Sequence, residues 1–138
     1  MKRVAVIGAG TMGHGLALVH AIGGCQVNLF DINPVVLGRA QKLISAACST
    51  LVNAGVHEQA DVDSAQSRIK QSSNIANALK NAELIVEAVV EKKEVKRSLF
   101  AEIAKFADSN SIIASNTSYL DVFSLLPKGL GVKTLIAH

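Results

Sequence analysis

Six residues near the amino end have the spacing of a phosphate-binding turn. Gly8, Gly10 and Gly13 form a Gly-x-Gly-x-x-Gly pattern directly after an apolar run and before a helical pattern. In such a turn the first glycine permits the bend, the second lets the backbone approach a pyrophosphate, and the third lets the helix pack on the strand. The pyrophosphate binds the free N–H groups at the helix N-terminus, so Thr11 and Met12 are predicted to line the same site.

An acidic residue, Asp31, ends the next apolar run, about twenty residues after the turn, as a dinucleotide site requires. A carboxylate there can accept hydrogen bonds from both hydroxyls of an adenosine ribose, and it would repel a 2′-phosphate. No arginine follows until Arg39, so the sequence predicts NAD rather than NADP. The alternatives are that Asp31 only caps the following helix, and that the glycine turn holds no ligand.

The elements that position these residues follow from hydrophobic periodicity. Strands are predicted at 4–7, 27–30, 69–73, 84–89, 111–114 and 132–137, and helices at 11–22, 34–53, 58–68, 74–80 and 92–107. Strands alternating with helices indicate right-handed βαβ units. The predicted fold class is therefore α/β, a Rossmann-type doubly wound parallel sheet with a helical hairpin insertion after the second strand, forming one domain over residues 1–138.

Composition and charge argue against several other classes of protein. The net charge is +3, but the basic residues are scattered except for a cluster at 92–97, which we expect to be a solvated helix face. Without interleaved aromatic residues, no nucleic-acid partner is expected. Cys25 and Cys48 are isolated, which suits a reducing compartment. No uninterrupted apolar run has the length of a membrane span, and no cluster has metal-ligand spacing. We therefore expect no membrane partner, no metal and a cytoplasmic location.

The order of motifs along the chain is more specific than the glycine turn. The segment VEAVVE at 86–91 follows Asp31, and SNTS at 115–118 and a strand-ending His138 come after it. This order, over essentially the whole chain, resembles the NAD-binding domain of the 3-hydroxyacyl-CoA dehydrogenase family. The resemblance implies hydride transfer between a 3-hydroxyacyl-CoA and NAD, as in the β-oxidation of fatty acids.

The resemblance also implies roles for four residues. Glu91 matches a family glutamate at the nicotinamide end and Lys96 a lysine one helical turn further on, so both are predicted to bind the cofactor. Ser118 is similar to a serine that touches nicotinamide and the substrate oxygen, and His138 looks like the catalytic base. A histidine has the right ordinary pKa for that task. The alternatives are a surface pair for Glu91 and Lys96, a loop hydroxyl for Ser118 and an ordinary strand-end residue at position 138.

Family members continue into a helical domain for substrate binding and dimerisation, which this chain lacks. We therefore expect little turnover from this chain by itself, and a homodimeric parent protein. The substrate stays open, because no Lys or Arg lies between Lys42 and Arg68 and the run before His138 lacks the family's usual glycine. Both departures also suit enzymes of small polar hydroxy acids, similar to gulonate dehydrogenase and lambda-crystallin. A non-catalytic NAD-binding module and a flavin-nucleotide binder are further alternatives.

Overall fold

The computed structural model describes residues 1–130 and the backbone of 134–137. Along these residues strands and helices alternate, with one 3₁₀ helix near the end. In chain order they are β1 (Arg3–Ile7), α1 (Gly13–Ile22), β2 (Gln26–Phe30), α2 (Pro34–Asn53), α3 (Gln59–Ser67), β3 (Ile69–Ser72), α4 (Ile75–Leu79), β4 (Leu84–Glu87), α5 (Lys93–Phe106), β5 (Ile112–Ser115), the 3₁₀ helix (Val122–Leu125) and β6 (Thr134–Ala137).

The strands form one parallel sheet in the order β3-β2-β1-β4-β5-β6. This is the doubly wound order predicted from the sequence. Connections run outward in opposite directions from β1 and from β4, so a crevice opens between the carboxyl ends of these two strands. Ligands of open α/β sheets bind in such a crevice.

Helices cover both faces of the sheet, because the buried side chains of β1 alternate between two apolar cores. Val4 and Val6 belong to the core covered by α1, α2 and α3. Ala5 and Ile7 belong to the core covered by α4, α5 and the 3₁₀ helix. A strand buried on both faces is apolar along its whole length, which is why the continuous run at 4–7 predicted it.

The predicted helical hairpin is present as α2 and α3. The side chain of Asn33 caps α2 by accepting a hydrogen bond from the Val35 N–H at 2.9 Å, and Pro34 occupies the first turn. The buried face of α2 consists of Leu37, Ala40, Ile44 and Cys48. Among the described residues α2 is the one helix long and apolar enough to cross a membrane by length and composition, yet here its apolar face packs against α1 and α3.

The buried face of α5 agrees with the predicted one only in part. Helical spacing predicts a face of apolar residues at 95, 99, 103 and 106. Leu99 and Ile103 are buried as predicted, whereas Val95 and Phe106 are 40% and 44% exposed. The helix also buries Phe100 and Lys96, because Glu87 at the end of β4 pairs with the ammonium group of Lys96. The basic cluster at 92–97 is therefore not wholly a solvated face, which corrects the interpretation from the sequence.

Candidate functional site

The glycine turn follows β1 and lies between the ends of β2 and β4. Gly8 has φ +103°, which side chains rarely tolerate, and a Cβ there would lie 2.6 Å from the carbonyl oxygen of Ala88. Its own N–H donates to the carbonyl of Phe30 at 2.8 Å. The turn is therefore fixed from both sides before any ligand binds.

The turn leads into the N-terminus of α1, which no side chain caps. Met12 is the N-cap residue, its side chain makes no capping hydrogen bond, and the first turn contains no acidic residue. A Cβ on Gly10 would meet nothing within 4 Å, so open space adjoins this backbone. Uncapped N–H groups and the positive end of the helix dipole suit a pyrophosphate, and the observed geometry fits that group.

Asp31 lies at the end of β2 and holds the glycine turn. Its Oδ2 accepts a hydrogen bond from the Ala9 N–H at 3.0 Å and its Oδ1 accepts one from the Asn33 N–H at 2.9 Å. The cap of α2 is Asn33 and not Asp31, so the simple capping interpretation of Asp31 does not hold. Arg39, the nearest downstream arginine, is exposed on α2.

These groups line one crevice of about 510 Å³, together with residues after β4 and β5. Gly10, Thr11, Met12 and Asp31 form one side, and Glu91 and Asn116 form the other. An adjoining apolar cavity of about 650 Å³ shares Ile32, Val89 and Val95 with the crevice. A crevice that combines the backbone of the glycine turn with two carboxylates, next to an apolar cavity, suits the phosphates, riboses and rings of a dinucleotide.

Glu91 fixes the loop that carries Asn116 and Ser118. Its Oε1 accepts hydrogen bonds from the backbone N–H groups of Ser118, Tyr119 and Leu120 at 3.2, 3.0 and 3.3 Å. Its Oε2 accepts one from the Thr117 hydroxyl at 3.1 Å. The predicted site residues Glu91 and Ser118 are thus brought together, with the carboxylate holding the loop that contains the serine.

The electrostatics of Glu91 follow from these contacts. Desolvation opposes its ionisation, but the Tyr119 N–H, the Thr117 hydroxyl, the Leu120 N–H and the charge of Lys96 outweigh that cost and lower its pKa to about 2. Glu91 is therefore a fixed negative charge on the crevice wall at neutral pH.

Behind Glu91 lies an ion pair that sequence reasoning missed. Lys96 Nζ lies 2.6 and 2.8 Å from the two carboxylate oxygens of Glu87, and both side chains are 0% exposed. The ammonium also lies 3.5 Å from Glu91 Oε2. The Glu91–Lys96 pair is thus not a surface pair, and direct contact of the buried Lys96 with a cofactor stays a prediction. The sequence signal for Glu87 was an acidic residue within an apolar strand.

The remaining predicted residues have different outcomes. Ser118 is exposed at the crevice end of the sheet. Gly13 is buried where α1 packs closely against the glycine turn. His138, the predicted catalytic base, lies outside the described residues, so its role stays a prediction.

Known proteins share this chain's sequence and fold. The sequence profile described as "3-hydroxyacyl-CoA dehydrogenase, NAD binding domain" matches residues 3–131. A probable 3-hydroxyacyl-CoA dehydrogenase of Caenorhabditis elegans is 38% identical over 97% of this chain and 46% of its own length. L-carnitine dehydrogenase of Oceanobacillus iheyensis is 38% identical over 86% of this chain and 37% of its own length.

A solved structure gives the same result. Escherichia coli 3-hydroxybutyryl-CoA dehydrogenase superposes with a TM-score of 0.88 at 34% identity, over 98% of this chain and 29% of its own chain. Other relatives carry names that place them in mitochondria or peroxisomes. The chain spans less than half the length of these relatives. By its sequence, its fold and its crevice, the chain belongs to the 3-hydroxyacyl-CoA dehydrogenase family and corresponds to the NAD-binding domain of that family.

Proposed function

We propose that this chain holds NAD for hydride transfer to or from a 3-hydroxyacyl-CoA, as one part of a longer dehydrogenase. The proposal rests on one crevice. The glycine turn and Asp31 line it on one side. On the other side lies the loop that contains Ser118 and is held by Glu91. The pyrophosphate would bind the N-terminus of α1 and the adenosine ribose would bind Asp31. NAD, when bound, supplies the hydride acceptor.

Residues of this chain would then stabilise charge on the substrate oxygen and accept its proton. Ser118, whose backbone N–H donates to Glu91, would stabilise the developing charge on that oxygen. His138 would take the hydroxyl proton. The relatives are more than twice as long as the part that this chain matches. In a longer protein, a further helical domain would orient the base and close the site. We therefore expect little turnover from this chain by itself. Homodimerisation of a parent protein and a cytoplasmic location stay predictions.

A second candidate substrate class, a small polar hydroxy acid without CoA, is favoured by the charges of the hairpin. Arg39 and Lys42 are exposed on α2, but from 43 to 67 the hairpin has acidic and no basic side chains apart from His57. The side chain of the next arginine, Arg68, donates hydrogen bonds to the Ala21 carbonyl and to the Ser64 hydroxyl. CoA carries several phosphates, which cationic partners would recognise. The name of the L-carnitine dehydrogenase relative also indicates a small hydroxy acid.

Titration of acetoacetyl-CoA and free acetoacetate into the NADH-saturated chain tests the proposal. An acyl-CoA protein binds the CoA ester more tightly, and Arg39→Gln with Lys42→Gln weakens that binding. Lys105→Gln, on α5 away from the hairpin, serves as the matched control. The same titrations on a longer protein that joins this chain to a helical substrate domain decide the substrate class. NADH binding there without any affinity for the CoA ester would reject the acyl-CoA substrate and favour the small hydroxy acid. Absence of NADH binding would reject the proposed function itself.

A further inference from the structure

A buried ion pair lies next to the crevice without touching it. Glu87 and Lys96 are both 0% exposed, and buried charges cost free energy even when they are paired. Apolar side chains of the same volume often stabilise a core equally well. A charged pair at the edge of a ligand crevice is therefore a candidate for a functional role.

The hydrogen bonds around Glu87 mark it as an ionised carboxylate. It accepts from Lys96 Nζ on both oxygens at 2.6 and 2.8 Å, from the Val89 N–H at 2.9 Å, and from the Ser115 hydroxyl. A carboxyl group surrounded only by donors is satisfied in its charged form. The pair thus joins the end of β4, the first turn of α5 and the last residue of β5.

The same ammonium faces a second carboxylate on the crevice wall. Lys96 Nζ lies 3.5 Å from Glu91 Oε2, and the Glu91 side chain is 30% exposed. We call Glu87, Lys96 and Glu91 the charge triad. It contains two negative groups and one positive group, so its net charge is −1. The neighbouring Lys92, Lys93 and Glu94 are exposed, and solvent screens their charges far more than those of the triad.

The crevice has two sides, and the charge triad lies on one of them. The N-terminus of α1, where a pyrophosphate binds, separates Asp31 at the end of β2 from Glu91 and Asn116 beyond β4 and β5. A Rossmann sheet binds the two halves of a dinucleotide across its crevice. With the adenosine at Asp31, as the proposed function requires, the nicotinamide half lies on the side of the charge triad.

We infer that the charge triad biases this chain toward the oxidised cofactor, and that Glu87 sets this bias from within the core. The nicotinamide ring is positively charged in NAD⁺ and neutral in NADH, so a net negative charge stabilises the first more than the second. Glu87 is a positioning residue, since it acts through Lys96: it neutralises the ammonium and leaves the charge of Glu91 uncompensated. This inference rests on the proposed function.

Substitution of Glu87 by glutamine tests the inference by binding measurements. Glu87→Gln keeps the size of the side chain and makes the triad neutral. We expect the Kd of NAD⁺ to rise roughly three- to tenfold relative to that of NADH, the order of a partly screened charge interaction. NAD⁺ is titrated by calorimetry and NADH by its fluorescence, on the full chain at fixed ionic strength.

Three further variants separate charge from packing. Glu87→Gln with Lys96→Met removes one charge of each sign, so the net charge stays −1 and the ratio of the two Kd values should stay as in the wild type. Glu91→Gln removes one negative charge at a partly exposed position and should shift the ratio as Glu87→Gln does, even if the latter fails to fold. Ser111→Ala removes a buried hydroxyl bonded to the Ala82 carbonyl, just before the amino ends of β5 and β4 and away from the crevice, and should leave the ratio unchanged.

The outcomes separate this inference from the proposed function. A changed ratio in Glu87→Gln and Glu91→Gln, restored in the double variant, supports the inference. Equal weakening of NAD⁺ and NADH in both single variants overturns it and leaves a structural role for the pair. A wild-type chain that is folded but binds neither form overturns the proposed function, and the inference with it.

Discussion

Gly13 lies so close to the carbonyl oxygen of Gly8 that a Cβ at Gly13 would stand 1.7 Å from it. Both groups belong to the backbone, so a side chain fits only if α1 moves away from the turn. We expect Gly13→Ala to lower the free energy of unfolding by about 2–3 kcal/mol, the cost of overpacking a tight site. Urea denaturation followed by circular dichroism measures this change.

Gly15 is the matched control for Gly13, because it lies in the same helix with nothing within 4 Å of its potential Cβ. Alanine favours an open helical position over glycine, so Gly15→Ala should raise the stability by about 0.5–1 kcal/mol. Equal effects of the two substitutions would contradict the close packing of α1 on the turn.

Gly10 separates ligand contact from folding. Its potential Cβ meets nothing within 4 Å, so we expect Gly10→Ala to change the unfolding free energy by less than about 0.5 kcal/mol. In the complex the added methyl group would stand between the backbone and the pyrophosphate. The affinity for NAD should therefore fall roughly ten- to hundredfold, the range of an overpacked contact. If calorimetry shows an unchanged affinity for NAD, the pyrophosphate does not bind at this turn.

The pH dependence of stability should report on Glu91. Its pKa is about 2 in the folded chain, below the ordinary 4.5, so its contribution is fully present above pH 4.5 and is lost as the pH falls towards 2. We expect Glu91→Gln to destabilise the protein at pH 6 by about 1 kcal/mol, a value reduced for the solvent exposure of the side chain.

The comparison between pH 6 and pH 3 makes that prediction specific. The difference in unfolding free energy between wild type and Glu91→Gln should shrink at pH 3, where much of the contribution of the carboxylate is lost. Glu58→Gln, at an exposed glutamate without a capping hydrogen bond, should show no such trend. An identical difference for Glu91→Gln at both pH values would mean that its carboxylate does not hold the 117–120 loop by its charge.

The two cysteines should differ in reactivity because Cys48 lies on the buried face of α2. Burial and the charge of Asp63 raise the pKa of the Cys48 thiol, and this side chain belongs to the buried face of α2. Cys25 is only partly buried. A thiol reagent should therefore label Cys25 in the native chain and Cys48 only after unfolding. Rapid labelling of Cys48 in the folded Cys25→Ser variant, where it is the one thiol left, would contradict its burial on α2.

Much of the fold was predictable because its signals are local. The continuous apolar run at 4–7, the Asn33-Pro34 helix start and the glycine spacing each depend on a few adjacent residues, and all of them are confirmed in the structure. Element ends shifted by one or two residues, as fraying makes usual. The 3₁₀ helix at Val122–Leu125 was not predicted, since it follows from the side chain of Asp121, which accepts the Phe123 N–H.

The site was only partly predictable, because several of its contacts join residues that are distant in the sequence. Asp31 and the glycine turn have a pattern along the chain, whereas the burial of Lys96 depends on Glu87 nine residues away on a different element. Helical periodicity counts every lysine as an exposed polar residue. The buried face that it predicts for α5 is therefore rotated by about one residue from the observed face. The contact of Glu91 with the 117–120 loop is likewise a tertiary contact, which no spacing within either segment specifies.

The most direct test of NAD binding at this crevice is a pair of calorimetric titrations, NAD and NADP against the wild-type chain and against Asp31→Ala. We expect the wild type to bind NAD more tightly than NADP by roughly tenfold or more, because Asp31 would repel a 2′-phosphate. We expect Asp31→Ala to lose roughly ten- to hundredfold in NAD affinity, the effect of lost hydrogen bonds to a charged group. Equal affinity for both cofactors, or NAD binding that is unchanged in Asp31→Ala, would contradict NAD binding at this crevice.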